Sequence, residues 1–396
     1  LHNTIEKKDQ RKKMLCGEKP DGCSYCWKIE AMGKDFVSDR HIKTTSIYNE
    51  ERLAEIKQNG ADLNVNPEYI EISFSNECNF KCGYCHPKAS SRYWNEIKQH
   101  GPYSMSTKHR QDIDWFKVYK KEEENPYVDA WWEWWPEVSK TLNILRITGG
   151  EPLMHKSLWE LFDKLEADPK PHIQIEVNSN MGVKHSLVQK LTETVLRLKE
   201  KNCIKSFKLY TSIDNWGPKA EYIRTGLDLE LWEKNLDYFL SKTPFSVIFM
   251  ITFNIFSVVG FNHLLEKILE WRYKYNGITE PQVRWQKVQF DTPHLKEPHM
   301  YDMNILPKKE FMPYMESHLQ FMHEYQDDRD RTKFSSLEVE KFRRVVEYMR
   351  TTEFEPAKRE LARRDFHRWF SEHDKRRDCN LVEAFPELET FFNNCA

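Results

Sequence analysis

Six apolar, β-branched runs alternate with amphipathic segments from Tyr69 onward, and this alternation constrains the fold more than any other feature. The intervening segments place apolar residues at i, i+3, i+4 and i+7, which is the period of a helix with one buried face. Strands that each lead into a helix form a parallel sheet, because the crossover returns the chain to the same edge. We therefore predict an α/β fold with a parallel sheet, closed or partly closed into a barrel. The six runs are YIEISFS (69–75), LNILRIT (142–148), HIQIEVN (172–178), SFKLYTSI (206–213), FSVIFMIT (245–252) and VRWQKVQF (283–290).

Composition divides the chain into three parts. Residues 1–68 are charged and contain a group of cysteines, so they are interpreted as a small N-terminal module. Residues 69–300 hold the alternating runs and are assigned to the barrel. Residues 301–396 contain only helical patterns and are predicted to form a helical C-terminal region.

Charge and hydropathy exclude some partners and locations. Lys plus Arg number 60 against 62 for Asp plus Glu, so a nucleic-acid partner is not expected from charge. The uncharged run 245–261 is interpreted as a buried strand leading into a loop and a helix, which argues against a membrane partner. The segment LHNTIEKKDQRKKM has no apolar core of the kind a secretory signal needs, so we predict a cytoplasmic protein. The first residue is Leu1 rather than Met, which suggests that other residues precede it.

A cysteine motif follows the first predicted strand. Cys78, Cys82 and Cys85 form the pattern C-x3-C-x2-C where the strand ends, and active sites of α/β barrels lie at that end of the strands. In a cytoplasmic protein such clustering favours a metal site over disulfides. Three thiolates do not identify the metal. Structural zinc sites close with four ligands, whereas an iron–sulfur cluster held by three cysteines keeps one iron open.

Two motifs together resemble the radical S-adenosylmethionine (radical SAM) enzymes, of the SPASM/twitch-type subgroup. The family's C-x3-C-x-aromatic-C signature is matched by the three cysteines with Tyr84. Its GGEP motif is matched where the second strand ends, by Gly149, Gly150, Glu151 and Pro152. The resemblance implies a partial (β/α)6 TIM-like barrel, a [4Fe-4S] cluster on the cysteines and S-adenosylmethionine bound to its open iron.

The same resemblance implies roles for further residues. GGEP would lie along the methionine amino group of the cofactor, with the glycines allowing close approach and the carboxylate accepting from the ammonium. Tyr84 would lie beside the adenine, and Arg224 would face the cofactor carboxylate. Each position is also an ordinary place for a strand-end cap or turn residue. The remaining polar residues expected at the cofactor are Asn178, Asn180, Ser212, Asp214 and Asn254.

Two residues near the predicted site are interpreted from their positions alone. Asp291 follows the sixth predicted strand and is a candidate to take a proton from substrate. His86 is next to the last motif cysteine, and we interpret it as a loop hydrogen-bonding residue rather than a ligand because three thiolates already suffice.

A second group of cysteines lies in the N-terminal module. Cys16, Cys23 and Cys26 have spacing that suits an iron–sulfur site or a zinc knuckle, and they resemble the auxiliary-cluster modules of SPASM/twitch enzymes. A second iron–sulfur cluster, a zinc ion and an incomplete site all stay open. The other cysteines, Cys203, Cys379 and Cys395, are interpreted as free thiols, although either of the last two is also a candidate fourth ligand.

The resemblance implies a reaction but not its substrate. Electron transfer from a reductase such as flavodoxin or ferredoxin would cleave S-adenosylmethionine to a 5′-deoxyadenosyl radical that abstracts hydrogen. Enzymes with such auxiliary modules mostly act on peptides or proteins, so a peptide or protein side chain is the leading hypothesis. One alternative is the rearrangement of a nucleoside or pterin, as in 7-carboxy-7-deazaguanine synthase. Another is a zinc-stabilised binding module without enzymatic activity.

Overall fold

A six-stranded sheet carries the fold in the computed structural model, which describes residues 3–31, 38, 40–41, 44, 49–106, 111–114, 123–277 and 286–396. The strands lie in chain order, and the pairs β3–β4, β4–β5 and β5–β6 are parallel. The first and last strands form the two edges of the sheet, so the sheet does not close into a full barrel. Of the two predicted forms, the partly closed parallel sheet is confirmed and the closed barrel is wrong. The strands are β1 (Tyr69–Ser73), β2 (Ile144–Thr148), β3 (Lys170–Ser179), β4 (Ile204–Ser212), β5 (Ser246–Met250) and β6 (Val288–Asp291).

The predicted strands and the observed ones differ mainly at their ends. β5 spans only five residues of the long apolar run, and the chain then turns before a helix begins at Phe261. β6 lies later than its predicted run, whose residues 283–285 are outside the described part of the chain. None of the helices that the structure describes is long and apolar enough to cross a membrane.

Fifteen α-helices accompany the strands within the described residues. Several begin at a side-chain cap. Ser335, for example, forms a capping box with Glu338, in which each side chain accepts from the backbone N–H of the other residue. The helices are Ile5–Leu15, Ser24–Glu30, Glu50–Asn59, Ser91–His100, Pro126–Val138, Lys156–Ala167, His185–Glu200, Pro218–Ile223, Leu229–Lys242, Phe261–Tyr275, Lys308–Glu324, Ser336–Thr351, Pro356–Arg377, Leu381–Ala384 and Glu389–Asn394.

The chain divides into two compact units. The first comprises Leu1–Glu71 and Pro126–Leu145, and the second comprises Ile72–Asn125 and Arg146–Ala396. The helices after residue 300 belong to the second unit, together with most of the sheet. The three-part division at residues 68 and 300 stays a prediction.

In the first unit, the tryptophan-rich helix Pro126–Val138 packs its aromatic rings on one another. Trp131 and Trp135 are buried, with ring centroids 5.6 Å apart. The ring centroid of Trp134 lies 6.2 Å from that of Trp131. At these separations aromatic rings stabilise one another through edge and tilted contacts.

In the second unit, aromatic side chains fill the space between the sheet and its helices. Phe249 on β5 contacts Trp232 and Trp271, with ring centroids 5.7 and 5.4 Å away. The C-terminal helix Pro356–Arg377 buries Phe366 and Trp369 on its apolar face. This helix is thus part of the core of the unit that holds the cysteine motif.

Candidate active site

The cysteine motif lies on the loop that follows β1, and neighbouring backbone groups fix its shape. The Cys78 N–H donates to Ser91 Oγ at 3.1 Å, and the Cys85 N–H donates to the Cys82 carbonyl at 3.0 Å. The Phe80 N–H points at Cys78 Sγ from 3.4 Å. Hydrogen bonds within the chain therefore hold the backbone of the loop and one of its sulfurs, that of Cys78.

Burial and proximity oppose ionisation of these thiols. Cys82 is buried, while Cys78 and Cys85 are half-buried. Burial raises the pKa of the Cys82 thiol and of the Cys78 thiol, and the neighbouring Cys82, Glu151 and Cys85 raise the pKa of Cys78 further. Three thiolates in one such place require a positively charged group to hold them. The donor set therefore fits a metal centre.

The C-terminal helix supports the cysteine loop from outside. A Cβ on Gly83 would lie 2.1 Å from Tyr301 Oη and 2.3 Å from Trp369 Cη2, so only glycine fits there. Arg377, the last residue of the helix, donates to the Lys81 carbonyl at 2.6 Å and to Glu96 Oε1 at 2.8 Å. Sequence reasoning missed this support. Its one signal was the apolar face of the helix, which showed that the helix packs but not on what.

The two glycines of GGEP bring the end of β2 against the cysteine loop. Both have positive φ, +79° at Gly149 and +46° at Gly150. A Cβ on Gly149 would lie 1.7 Å from Ser73 Oγ, and one on Gly150 would lie 2.2 Å from the Glu77 carbonyl. The close approach that these glycines permit in the structure is therefore between two loops of the chain.

Glu151 joins the ends of β2 and β3. Its Oε1 accepts from Ser179 Oγ at 2.9 Å, and its Oε2 accepts from the Asn180 N–H at 2.6 Å. Burial raises the pKa of Glu151 to about 7, against the lowering effect of these hydrogen bonds. Both carboxylate oxygens thus have partners within the chain. Pro152 follows and begins a short 3-10 helix, Pro152–Met154.

The two asparagines at the end of β3 differ in their surroundings. Asn180 lies at the cysteine loop, where its Nδ2 donates to Asn79 Oδ1 at 2.7 Å and approaches Cys78 Sγ to 3.9 Å. The Asn178 side chain instead accepts from Arg146 Nε at 2.9 Å. The structure therefore brings Asn180, but not Asn178, to the motif sulfur.

A buried polar triad connects the motif aromatic to the ends of β4 and β5. Tyr84 Oη donates to Asp214 Oδ2 at 2.6 Å, and Arg224 Nη2 donates to Asp214 Oδ1 at 2.9 Å. Asp214 Oδ1 also accepts from the Thr252 N–H at 2.8 Å. Burial works against charge on Arg224, but Asp214 and Tyr84 raise the pKa of the guanidinium, so it stays charged.

Two buried side-chain donors have no hydrogen-bond acceptor in the described structure. Arg224 Nε belongs to this triad, and Asn76 Nδ2 lies just before the cysteine motif in the chain. A buried donor without an acceptor is costly, and such groups are expected where a ligand supplies the acceptor. An anionic cofactor group, such as a carboxylate, would satisfy Arg224.

Four other residues of interest occupy strand ends or loops. Ser212 is the last residue of β4 and is half-buried. Asn254 is fully buried. Its Nδ2 donates to the Thr252 carbonyl, and its Oδ1 accepts from the Phe256 N–H of the same loop. Asp291 ends β6 and forms an ion pair with Lys341 at 3.1 Å. His86 Nδ1 accepts from the Lys88 N–H at 3.0 Å, which is the loop role expected of it.

The N-terminal cysteines lie in a different setting. Cys16 is exposed at the end of helix Ile5–Leu15, whereas Cys23 and Cys26 are half-buried where helix Ser24–Glu30 begins. Neither helix has a buried residue. In the described residues the three sulfurs do not all come within 4.8 Å of one another, and a second cluster remains a prediction.

Comparison with known proteins identifies the sheet-bearing part of the chain. Residues 72–267 match the Radical SAM superfamily. A GTP 3′,8-cyclase from Sulfurimonas denitrificans is 26% identical over 162 residues, which cover 41% of this chain and 39% of that protein. A second from Campylobacter jejuni is 30% identical over 125 residues, which cover 32% and 30%. The chain thus matches two fifths or less of the length of these relatives.

Solved structures align over more of the chain, at lower sequence identity. Native anSMEcpe with bound AdoMet and Kp18Cys peptide aligns with a TM-score of 0.41 at 16% identity, covering 67% of this chain and 63% of that chain. Streptococcus suis SuiB bound to precursor peptide SuiA aligns with a TM-score of 0.39 at 13% identity, covering 81% and 59%.

Proposed function

We propose that this chain, a member of the radical SAM superfamily through its residues 72–267, cleaves S-adenosylmethionine reductively and abstracts hydrogen from a substrate. The observation that carries the proposal is the arrangement at the end of β1, where backbone hydrogen bonds hold the loop that bears the three cysteines, beside buried donors that have no acceptor. When bound, the [4Fe-4S] cluster and S-adenosylmethionine supply a 5′-deoxyadenosyl radical.

In this proposal, Cys78, Cys82 and Cys85 hold the cluster. The Phe80 N–H and Asn180 Nδ2 point at Cys78 Sγ and would stabilise its negative charge. Such donors bear on the reduction potential, because hydrogen bonds to cluster sulfurs are among the factors that set it.

The cofactor residues divide into contacting and positioning roles. We assign Arg224 Nε to an anionic oxygen of S-adenosylmethionine, because that donor is buried and lacks an acceptor. Tyr84 and Asp214 orient the guanidinium, and the Tyr84 ring stays assigned to the adenine. Glu151 is assigned to positioning, since its oxygens connect two strand ends. Gly149, Gly150, Pro152, Asn178, Ser212 and Asn254 stay proposed as cofactor neighbours, and Asp291 as a proton acceptor.

The cleavage step is tested by product formation. The anaerobically reconstituted, reduced protein is incubated with S-adenosylmethionine, and 5′-deoxyadenosine is measured by liquid chromatography and mass spectrometry. We expect product from the wild type and from a Cys395→Ala control, and only the background of protein-free buffer from Cys82→Ala. Equal product from Cys82→Ala and wild type would refute the proposal.

For the substrate we propose a peptide or protein side chain. The support is the N-terminal cysteine group, which resembles the auxiliary modules of SPASM/twitch enzymes. A second candidate is a nucleoside or pterin. The GTP 3′,8-cyclase relatives, which match part of this chain, support this candidate. The radical SAM domain makes the chain an enzyme, so a binding module without activity is not retained.

Deuterium transfer separates the two substrate classes. A deuterated candidate peptide and ribose-deuterated GTP are supplied in parallel, and label is sought in 5′-deoxyadenosine. Label from the peptide alone supports the first class, and label from GTP alone supports the second. We further propose a cytoplasmic location and a flavodoxin or ferredoxin as electron donor. Product formed when one of these proteins replaces the chemical reductant is the corresponding test.

A further inference from the structure

Three potential metal ligands meet where the C-terminal helix Pro356–Arg377 ends. His373 and Asp374 belong to its last turns, and Cys379 follows on the next loop. Among the described residues, this is the one group whose three His, Cys, Asp or Glu ligand atoms all lie within 4.8 Å of one another. None of the three belongs to the cysteine motif.

Two of the three distances within this group match a tetrahedral zinc site. Cys379 Sγ lies 3.6 Å from His373 Nδ1 and 3.5 Å from Asp374 Oδ1. Ordinary zinc bond lengths with tetrahedral angles give sulfur-to-nitrogen and sulfur-to-oxygen separations of about 3.6 Å. His373 Nδ1 and Asp374 Oδ1 are 2.9 Å apart, as in a hydrogen bond. They would have to separate by about 0.4 Å to reach tetrahedral geometry.

The surrounding residues hold these ligands in place. Tyr222 Oη and the Leu381 N–H each donate to one oxygen of Asp374, both at 2.7 Å. The rings of Tyr222 and Trp369 pack on His373, with centroids 5.0 Å from its own. Hydrogen-bonded and packed ligands of this kind are typical of sites built for a metal.

A cavity of about 350 Å³ reaches the group on the side of Cys379, whereas His373 and Asp374 do not line it. Cys379 lines it, together with Tyr222, Thr225 and Arg377. Structural zinc sites close with four protein ligands, whereas three ligands leave one position for water or another molecule. The cavity provides room for that fourth ligand.

We propose that His373, Asp374 and Cys379 form a zinc site whose fourth position is open to this cavity. Sulfur and imidazole donors select a transition metal over calcium or magnesium, which prefer oxygen ligands alone. On binding, the Cys379 S–H bond breaks, its proton passes to solvent and a sulfur–zinc bond forms. One carboxylate and one thiolate then balance the charge of the ion.

Zinc at this site would lie close to Arg377, the residue that supports the cysteine loop. Arg377 lies between His373 and Cys379 in the chain, and it donates to the Lys81 carbonyl and to Glu96 beside the motif. Zinc would therefore fix the end of the helix from which Arg377 extends. The inference is independent of the proposed reaction, because it uses none of the motif cysteines.

Zinc content provides the first test. The full-length, reconstituted protein is incubated with an excess of zinc chloride over all its cysteine groups and desalted, and zinc is counted by mass spectrometry. We expect Cys379→Ser to hold about one zinc fewer per chain than wild type and a Cys395→Ser control. Zinc held by other cysteines contributes equally to all three samples. Equal zinc in the three proteins would overturn the proposal.

Thiol protection tests the same site without a variant. Wild-type protein is treated with iodoacetamide with and without zinc, and alkylation of each cysteine is followed by peptide mass spectrometry. We expect zinc to slow alkylation of Cys379 by at least about tenfold and to leave Cys395 unchanged. An unchanged rate at Cys379 would refute zinc binding there, even if Cys379→Ser fails to fold.

Discussion

The chain contains two groups of three cysteines, and the contacts that surround the two groups differ. Around Cys78, Cys82 and Cys85, backbone donors, Asn180 and the C-terminal helix fix the loop from several directions. Around Cys16, Cys23 and Cys26, the flanking helices bury nothing. The loop of the first group is therefore held by contacts within the chain. A metal bound at the second group would have to supply more of the local order itself.

Removing each group of cysteines should have the largest and most contrasting effects. We expect a Cys78→Ala, Cys82→Ala, Cys85→Ala variant to lose the proposed cluster and all 5′-deoxyadenosine formation. It should still fold, because the loop is held by other contacts. The matched Cys16→Ala, Cys23→Ala, Cys26→Ala variant should keep the four irons of the first cluster. Iron analysis and circular dichroism check both variants. Complete loss of iron from the second would contradict two independent sites.

Arg377→Met should cost the most stability of the single changes considered. It removes the ion pair between Arg377 and the buried Glu96 and leaves Lys81 as the other cation paired with that carboxylate. The cost should therefore be below the value of about 3–5 kcal/mol for a buried charge that loses its partner entirely. The control Arg368→Met, at an exposed position of the same helix, should change the free energy of unfolding by less than about 0.5 kcal/mol. Urea unfolding measures both. Similar values would show that the helix does not support the loop.

Lowering the pH should weaken the ion pair between Glu96 and Arg377. Although burial works against its charge, Arg377 and Lys81 lower the pKa of Glu96 to about 2. A lowered pKa means that this carboxylate stabilises the fold above its unfolded pKa of about 4.5. That contribution, about 3 kcal/mol at most, is lost as the pH falls from 4.5 towards 2. The difference in unfolding free energy between wild type and Glu96→Gln should therefore shrink over this range. A constant difference would exclude the ion pair as its source.

Asn180→Ala should have the smallest effect of the four. It removes the side-chain donor at Cys78 Sγ, and losing such a partner typically costs 10- to 100-fold in metal affinity. Asn178→Ala is the matched control, because its side chain contacts Arg146 instead. Iron retained during a chelator challenge measures the difference. If both variants lose iron equally fast, the contact at Cys78 has no particular role.

Several features could be predicted because they depend on residues close together in sequence. The alternation of apolar runs and amphipathic segments fixes strand and helix order, and parallel strands bring their carboxyl ends to one edge. Cys78 and Gly149 therefore had to lie near each other. Strand ends were less certain. β6 starts later than its apolar run, because pairing with β5 rather than composition determines where a strand begins.

Other features depend on contacts between distant parts of the chain. Asp214 and Arg224 were each predicted to contact the cofactor, but the structure pairs them with each other and with Tyr84. Cys379 was interpreted as a free thiol. The structure places it beside Asp374, whose position is fixed by Tyr222 from a distant part of the chain.

The sequence by itself therefore determined the sheet, its order and the residues able to hold a cluster, since periodicity and short motifs encode local geometry. Only the tertiary structure decided what holds the cysteine loop in place. Arg377 lies close to the end of the second unit in sequence, and it contacts Lys81 and Glu96 close to the beginning of that unit. Such contacts arise from packing many side chains at once, and a linear pattern of residues does not record them.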